Sequence, residues 1–315
     1  MHELVLCLLT GFALSLPLCA IEIPLLKRAG AGQNILCYVK EHRDKGGTPT
    51  MGGLGFTLAA AGASLLLFQG DGRLFPALAV GGGYLLVGLL DDLLKKRRKD
   101  NLGLRPYQKI CFQLAVALIA AFYCLYAGAT KVYLPFTKQM IDLSWGIVPL
   151  GVFVFLATVN CVNLTDGLDG LAGSVSAVFF LFLGALLALE GQSGGLEVLS
   201  FCLAGALAAY LVFNVGRASV FMGDTGSLAL GGFAAAISLF SGNVLLLPFL
   251  GAMFVLSGIS VILQVISYQT RKKRIFLMAP IHHHFQEKGF SEGKIAYCYA
   301  AVTAFFGLLL LHPYL

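Results

Sequence analysis

Hydrophobic positions along the chain form long, nearly unbroken runs that are separated by short polar connections. A helix that crosses a bilayer needs about 20 consecutive apolar residues, and ten windows of roughly this length occur in the 315 residues. The predicted spans are 3–26, 51–69, 74–94, 107–127, 146–164, 171–189, 196–214, 225–240, 244–268 and 295–312. The pattern predicts an all-α polytopic membrane protein in which residues 1–315 form one integral membrane domain.

The basic residues lie almost entirely on one side of these spans. Alternating the connections places 27–50, 95–106, 165–170, 215–224 and 269–294 together, and with the span ends they carry 19 of the 22 Lys and Arg residues. Such an excess marks the cytoplasmic side, so both termini are predicted to lie outside. The opposite connection, 128–145, contains the β-prone stretch KVYLPF and predicts a small external hairpin.

Composition agrees with a membrane protein and narrows its class. Hydrophobic residues make up 58% of the chain and charged residues 12%, about half of what covers a soluble domain. The first apolar run has no basic region before it and leads directly into Lys27 and Arg28, which predicts a retained span rather than a cleaved signal peptide. The eight cysteines form no Cys-x-x-Cys pair, so neither a zinc site nor a disulfide framework is expected.

Five acids stand at the mouths of spans on the predicted cytoplasmic side, although they come from three separate parts of the chain. They are Asp91, Asp92, Asp166, Asp169 and Asp224. A carboxylate near hydrocarbon costs a few kcal/mol unless a positive group compensates it. Mg²⁺ is held by one or two carboxylates, with water and phosphate oxygens completing its shell. The gathered acids therefore predict phosphate chemistry with a hard cation at a cytoplasmic cleft.

The adjacent acids in LLDDLLK have a simpler interpretation beside the functional one. Neighbouring helical residues point about 100° apart, so Asp91 and Asp92 cannot both face one cation from an ideal helix. Either one serves a metal or a reaction while the other binds a neighbour, or the acids only pair with Lys95 or Lys96 at the helix end.

The two other acidic stretches also contain residues that favour helix caps. Thr165 or Asp166 in NLTDGLDG, and Asp224 or Thr225 in FMGDTGSLALGG, are residue types that cap helices. Capping does not explain the amides of Asn160 and Asn163 or the neighbouring glycines, which indicate a surface that a ligand approaches closely. Free N–H groups at the start of the second helix favour phosphate.

Two cytoplasmic connections add basic groups. In APIHHHFQ, adjacent histidines rarely converge on one ion, so one or two are expected to meet a phosphate or carboxylate while the rest orient them. The preceding RKKRIFLMAP, residues 271–280, also suits a position on anionic lipid headgroups. Lys45, beside the glycines of KGGTPTMGG, either approaches a phosphate or belongs to a solvated turn.

In combination, five segments resemble the signature segments of the phospho-N-acetylmuramoyl-pentapeptide transferases, within the polyprenyl-phosphate N-acetylhexosamine-1-phosphate transferases. The segments are TPTMGG (48–53), LLDDLLK (89–95), NLTDGLDGLAG (163–173), FMGDTGSLALGG (221–232) and APIHHHFQ (279–286). The resemblance runs from about residue 45 to 290. It implies transfer of phospho-MurNAc-pentapeptide from UDP-MurNAc-pentapeptide to undecaprenyl phosphate, giving lipid I and UMP in peptidoglycan synthesis.

The resemblance also implies Mg²⁺, a homodimer in the bacterial cytoplasmic membrane, and no nucleic-acid partner. It makes Asp224 the metal ligand, and Asp91 and Asp92 a pair of which one deprotonates the lipid phosphate; His283 is the fourth expected catalytic residue. The expected substrate-binding residues are Lys45, Lys95, Asn160, Asn163, Asp166, Gly167, Asp169, Asn214, Phe221, His282 and His284. Phe221 is expected to stack on uracil, and the histidines to lie near the diphosphate or sugar.

Two other functions share some of these features. A GlcNAc-1-phosphate transferase acting on UDP-GlcNAc shares the chemistry, but the histidine segment and TPTMGG argue against it. Carboxylates within a membrane also occur in cation transporters, which usually hold them near mid-bilayer and contain internal repeats. Here the acids lie at span ends and no repeat is found. Whether transfer takes one step or passes through an aspartyl-phosphate stays open.

Overall fold

Helices make up almost all of the structure, a computed structural model that describes residues 2–32, 47–68, 72–98, 103–135, 137, 139–191 and 194–314. The helices are α1 (His2–Arg28), α2 (Gly53–Leu66), α3 (Leu74–Arg98), α4 (Pro106–Tyr126), α5 (Ile147–Thr165), α6 (Leu171–Leu189), α7 (Gly195–Asn214), α8 (Gly223–Phe240), α9 (Leu247–Leu250), α10 (Ala252–Arg271), α11 (Ile281–Glu287) and α12 (Glu292–Leu311). Two short strands, β1 (Lys131–Tyr133) and β2 (Met140–Asp142), complete the fold. The prediction of an all-α polytopic membrane protein is confirmed.

Each predicted span coincides with a helix, with one interruption. Eight helices of the described residues are long and apolar enough to cross a membrane, and α2 is a shorter apolar helix. The predicted span 244–268 is wrong as a single helix, because the chain leaves helical geometry at Gly251 (φ −90°, ψ 25°) and divides into α9 and α10. A glycine has no side chain to hold it in the helix and adopts such a conformation at little cost.

The bundle is organised around α8. Seventeen of its eighteen residues are buried, and it packs chiefly against α3 and α5, with α2 beside them. Glycines set these close approaches: a Cβ on Gly231 would lie 2.5 Å from the Cα of Val159, and one on Gly88 would collide with the main-chain carbonyl of Asp224. Small residues let membrane helices approach backbone to backbone.

The connections separate to the two ends of the bundle. At one end the predicted hairpin is confirmed, with Val132 paired to Ile141 in an antiparallel register. The Glu190 carboxylate accepts hydrogen bonds there from the Asn243 amide (2.7 Å) and the Tyr314 hydroxyl (3.0 Å). At the other end lie the acids described below. The predicted topology, and with it the side of the membrane that each end and each terminus faces, stays a prediction.

Candidate active site

Three carboxylates meet where the end of α3 approaches the beginning of α8. Asp91 and Asp92 lie near the end of α3, and Asp224 is the second residue of α8. All three are buried, and one oxygen from each lies within 4.8 Å of the others. Gly88, one turn before Asp92, makes room for this contact. The structure therefore brings together the acids that the sequence places more than 130 residues apart.

Two lysines neutralise most of this charge. The Lys95 Nζ lies 2.7 Å from Asp91 Oδ2 and 2.6 Å from Asp224 Oδ2, so the i+4 pair exists but also bridges to the second helix. Lys109 Nζ, from the first turn of α4, lies 3.0 Å from the same Asp224 oxygen. Lys109 is not among the site residues that the sequence predicts. The feature of the sequence that could have indicated it is a cation in the first turn of an otherwise apolar helix.

Asp92 caps α8 from the neighbouring helix. Its Oδ2 accepts hydrogen bonds from the Thr225 N–H (2.9 Å) and hydroxyl (2.7 Å), and its Oδ1 accepts one from the Asp224 N–H (3.3 Å). The interpretation of Asp224 or Thr225 as the cap is wrong, since Met222 holds that position without a side-chain bond. The two N–H groups expected to attract phosphate are bound by Asp92 instead.

Asn163 binds the remaining oxygen of Asp224. Its Nδ2 donates to Asp224 Oδ1 (2.6 Å) and lies 2.8 Å from the Ser227 hydroxyl. Asn160, one turn earlier on α5, donates instead to the Gln113 carbonyl oxygen on α4 (2.8 Å) and to the Leu156 carbonyl. The amide of Asn160 therefore joins two helices, whereas that of Asn163 belongs to the carboxylate cluster.

The TPTMGG segment forms a backbone clamp on the residues before Asp224. The Phe221 N–H donates to the Pro49 carbonyl (2.8 Å), the Gly52 N–H to the Phe221 carbonyl (2.9 Å), and the Gly53 N–H to the Met222 carbonyl (3.1 Å). The start of α2 is thereby fixed to the start of α8. Phe221 is half-buried at this place. Lys45, expected to contact substrate, lies outside the described residues.

The loop between α5 and α6 is held to the connection after α7. Asp169 Oδ2 accepts a hydrogen bond from the Ala218 N–H (3.1 Å). The Asn214 side chain accepts one from the Gly170 N–H (2.9 Å) and donates one to the Val220 carbonyl (2.8 Å). These two polar side chains maintain the loop that carries half-buried Asp166.

The cap expected for α6 is also corrected. Gly170 in the left-handed region (φ +74°) precedes this helix, whereas the Thr165 hydroxyl bonds back to the Cys161 carbonyl. A glycine reaches that backbone conformation without strain, so neither Thr165 nor Asp166 starts the helix.

The three histidines occupy three different environments. His282 is fully buried, and neither ring nitrogen has a hydrogen-bond partner among the described residues. Burial, with a smaller effect of His283, lowers the pKa of His282 to about 3, so it is neutral at pH 7. His283 Nδ1 lies 2.9 Å from Gln286 Oε1, and His284 Nδ1 accepts the Leu277 N–H (3.1 Å).

Gly167 joins the histidines to the acidic end of the bundle. A Cβ at this position would collide with His282 Nε2 and would lie 3.0 Å from His283 Nε2. The loop that follows Asn163 therefore packs directly on the histidine helix α11. The structure thus places segments 163–170, 221–224 and 281–284 at one end of the bundle, as the sequence predicts.

The cluster of Asp91, Asp92 and Asp224 is one that could hold a metal ion. Its donors are all carboxylate oxygens, the ligands that Mg²⁺ prefers, and no thiolate is among them. The ammonium of Lys95 lies among the same oxygens, which shows that a cation is accommodated there.

The apolar helices define an integral membrane protein with a buried, lysine-neutralised acid cluster at one end of its bundle, and the comparisons identify its class as a transferase. The profile of glycosyl transferase family 4 matches residues 74–242, more than half of the chain. Among the similar proteins is a phospho-N-acetylmuramoyl-pentapeptide-transferase of Clostridium botulinum (strain Eklund 17B / Type B), 41% identical over 302 residues that cover 94% of this chain and 92% of that one.

Enzymes of the same name from two other bacteria are equally similar. The one from Caldanaerobacter subterraneus subsp. tengcongensis is 43% identical over 89% of both chains, and the one from Bacillus subtilis (strain 168) is 40% identical over 96% of this chain and 94% of its own. The chain belongs to the phospho-N-acetylmuramoyl-pentapeptide-transferase family.

Proposed function

We propose that this protein transfers phospho-MurNAc-pentapeptide from UDP-MurNAc-pentapeptide to undecaprenyl phosphate, giving lipid I and UMP, at the cytoplasmic face of the bacterial membrane. The observation that carries the proposal is the contact of Asp91, Asp92 and Asp224 with Lys95 and Lys109 at one end of an apolar bundle. Both substrates are phosphates, and one of them is a lipid. The reaction exchanges one phosphoanhydride for another and needs no ATP.

Asp224 is the residue that would hold Mg²⁺, with Asp91 beside it. The ion would supply positive charge to the diphosphate and to the departing UMP. Because Asp224 already binds two ammonium groups and one amide, its carboxylate is oriented before any ligand arrives. Lys95 and Lys109 have flexible side chains, so they can turn from Asp224 to the phosphates of the bound substrate.

Asp91 is the member of the pair better placed to accept a proton. Both oxygens of Asp92 are committed to the first N–H groups of α8. Asp91 Oδ1 accepts the Leu104 N–H (2.7 Å), but its Oδ2 is bound by the side chain of Lys95 (2.7 Å), which can turn to a substrate phosphate. In the proposed single displacement, Asp91 removes any remaining proton from the lipid phosphate. That phosphate then attacks the β-phosphorus in line with the leaving UMP.

The polar side chains around the cluster are assigned to the nucleotide. Asn163, Asp166 and Phe221 are proposed to contact the uridine, and His283, at the edge of the same end, to meet the diphosphate or sugar. A homodimer is proposed on the family resemblance, and light scattering of the purified protein tests it.

UMP release by purified protein, given both substrates with and without Mg²⁺, tests the proposal. Asp224→Asn is expected to abolish release while leaving the thermal unfolding transition in place, and Asp142→Asn on the distant hairpin serves as the matched control. Equal activity of both variants would remove the metal assignment. Release from UDP-GlcNAc but not UDP-MurNAc-pentapeptide would favour the other transferase, and ion movement without UMP release would favour a transporter. A phosphorylated aspartate that forms without lipid would replace the single displacement by two steps.

A further inference from the structure

The segment that follows α10 combines four cations with exposed apolar side chains. Arg271, Lys272, Lys273 and Arg274 are all exposed. Ile275 and Leu277, directly after them, are 53% and 52% exposed. In a soluble protein such large apolar residues would favour burial, whereas beside a run of cations they suit the boundary between headgroups and acyl chains.

Hydrogen bonds give this segment a defined conformation. Gln264 Oε1 accepts the Ile275 and Phe276 N–H groups, both at 3.0 Å, and its Nε2 donates to the Phe276 carbonyl at 3.0 Å. The Ser267 hydroxyl donates to the Lys273 carbonyl (2.9 Å). The cations therefore project from an ordered turn, and less entropy is lost when they bind a ligand.

The segment follows the end of α10, and this position indicates that lipid is the nearby ligand. Ile262, Ile266 and Tyr268 on the same helix are 58%, 53% and 55% exposed, as expected of residues that face lipid, and tyrosine is enriched where a span meets headgroups. The apolar exposed surface thus continues from the membrane-spanning helix to Ile275 and Leu277. Within the described residues, no ion pair neutralises Lys272 or Lys273.

We propose that residues 271–277 form a binding site for anionic phospholipid headgroups, in which the cations contact the phosphates and Ile275 and Leu277 enter the acyl boundary. Each Lys or Arg near an anionic membrane surface strengthens binding about fivefold. The site is separate from the carboxylate cluster, yet the Leu277 N–H donates to His284 Nδ1. A bound headgroup is therefore one short segment away from the histidine helix.

A local fluorescence measurement tests the proposal independently of enzyme activity. Trp145 is the only tryptophan of the chain and lies on the hairpin end, so Trp145→Phe with Ile275→Trp places a single reporter in the segment. The protein is reconstituted in vesicles that contain dibrominated phosphatidylglycerol or dibrominated phosphatidylcholine at equal mole fraction. Stronger quenching by the anionic lipid is expected. Leu277→Trp provides a second reporter if the first variant is unstable.

Replacing individual cations then tests whether the preference for anionic lipid comes from this site or from general electrostatic attraction between the protein and the membrane. Lys272→Gln with Lys273→Gln is expected to lower the anionic preference at the reporter by roughly 25-fold, while the matched pair Lys27→Gln and Arg28→Gln leaves it unchanged. Equal quenching by the two lipids overturns the proposal. So does a preference for the anionic lipid that persists when Lys272 and Lys273 are both replaced by Gln. Loss of the preference on adding inorganic phosphate at constant ionic strength also overturns it, because the site would then bind free phosphate.

Discussion

Asp92 is predicted to stabilise the protein by holding the start of α8. Asp92→Ala removes the acceptor of both Thr225 donors and of the Asp224 N–H. A buried donor left without a partner costs about 1–3 kcal/mol. The two short bonds to Thr225 therefore predict a loss of about 3 kcal/mol, which relief of repulsion among the carboxylates reduces in part. Asp92→Asn keeps an acceptor for Thr225 and is expected to cost about 1 kcal/mol.

Thermal unfolding of the purified variants in one detergent measures this difference, with Trp145 fluorescence as the signal. Wild type is expected to unfold at the highest temperature, then Asp92→Asn, then Asp92→Ala. Asp91→Ala is the matched control, since it leaves one backbone donor, the Leu104 N–H, without its acceptor and removes one ion pair, to Lys95. The capping role of Asp92 would be refuted if Asp92→Ala unfolded at the same temperature as Asp92→Asn, or at a higher temperature than Asp91→Ala.

Three further changes probe charge, protonation and packing. Lys109→Gln leaves Asp224 with one fewer cation and is expected to raise the KM for the nucleotide substrate, whereas Lys131→Gln on the hairpin changes nothing; equal KM values would contradict this. Because the pKa of His282 is lowered to about 3, only the unfolded chain binds a proton there as pH falls from 6.5 to 3. The free energy of unfolding should therefore be about 2 kcal/mol lower at pH 5 than at neutral pH. His282→Gln should flatten the dependence of Tm on pH, and an unchanged slope would contradict this role of His282. Gly88→Ala should lower Tm and activity together, because its Cβ meets the Asp224 carbonyl, and a fully active, stable variant would show that the helices can separate there.

The features that the sequence predicts well are those that the bilayer imposes. Span length follows from membrane thickness, so the positions of the helices are readable from the apolar runs. Carboxylates at span ends are costly, which is why the cluster of Asp91, Asp92 and Asp224 was predictable as a group. Hairpin 131–142 was predictable from local β-propensity.

The features that escaped prediction depend on how helices rotate against one another. Nothing in the spacing of Asp92 says that it faces the first turn of α8 rather than a ligand. Lys109 reaches Asp224 across two helices, and Asn160 turns to Gln113. Such pairings arise from packing, which periodicity does not encode. The clamp by TPTMGG was hidden for another reason, because its hydrogen bonds use only backbone atoms.

The burial of α8 has a consequence for how the topology of such proteins is derived. A helix surrounded by other helices makes little contact with lipid, so small residues replace leucine at many positions of α8, and 225–240 is the shortest of the predicted spans. Leaving it out would invert every later crossing and assign the 271–274 cations to the face opposite Lys95. Omitting the helix that carries Asp224 would therefore change the orientation that is inferred from charge.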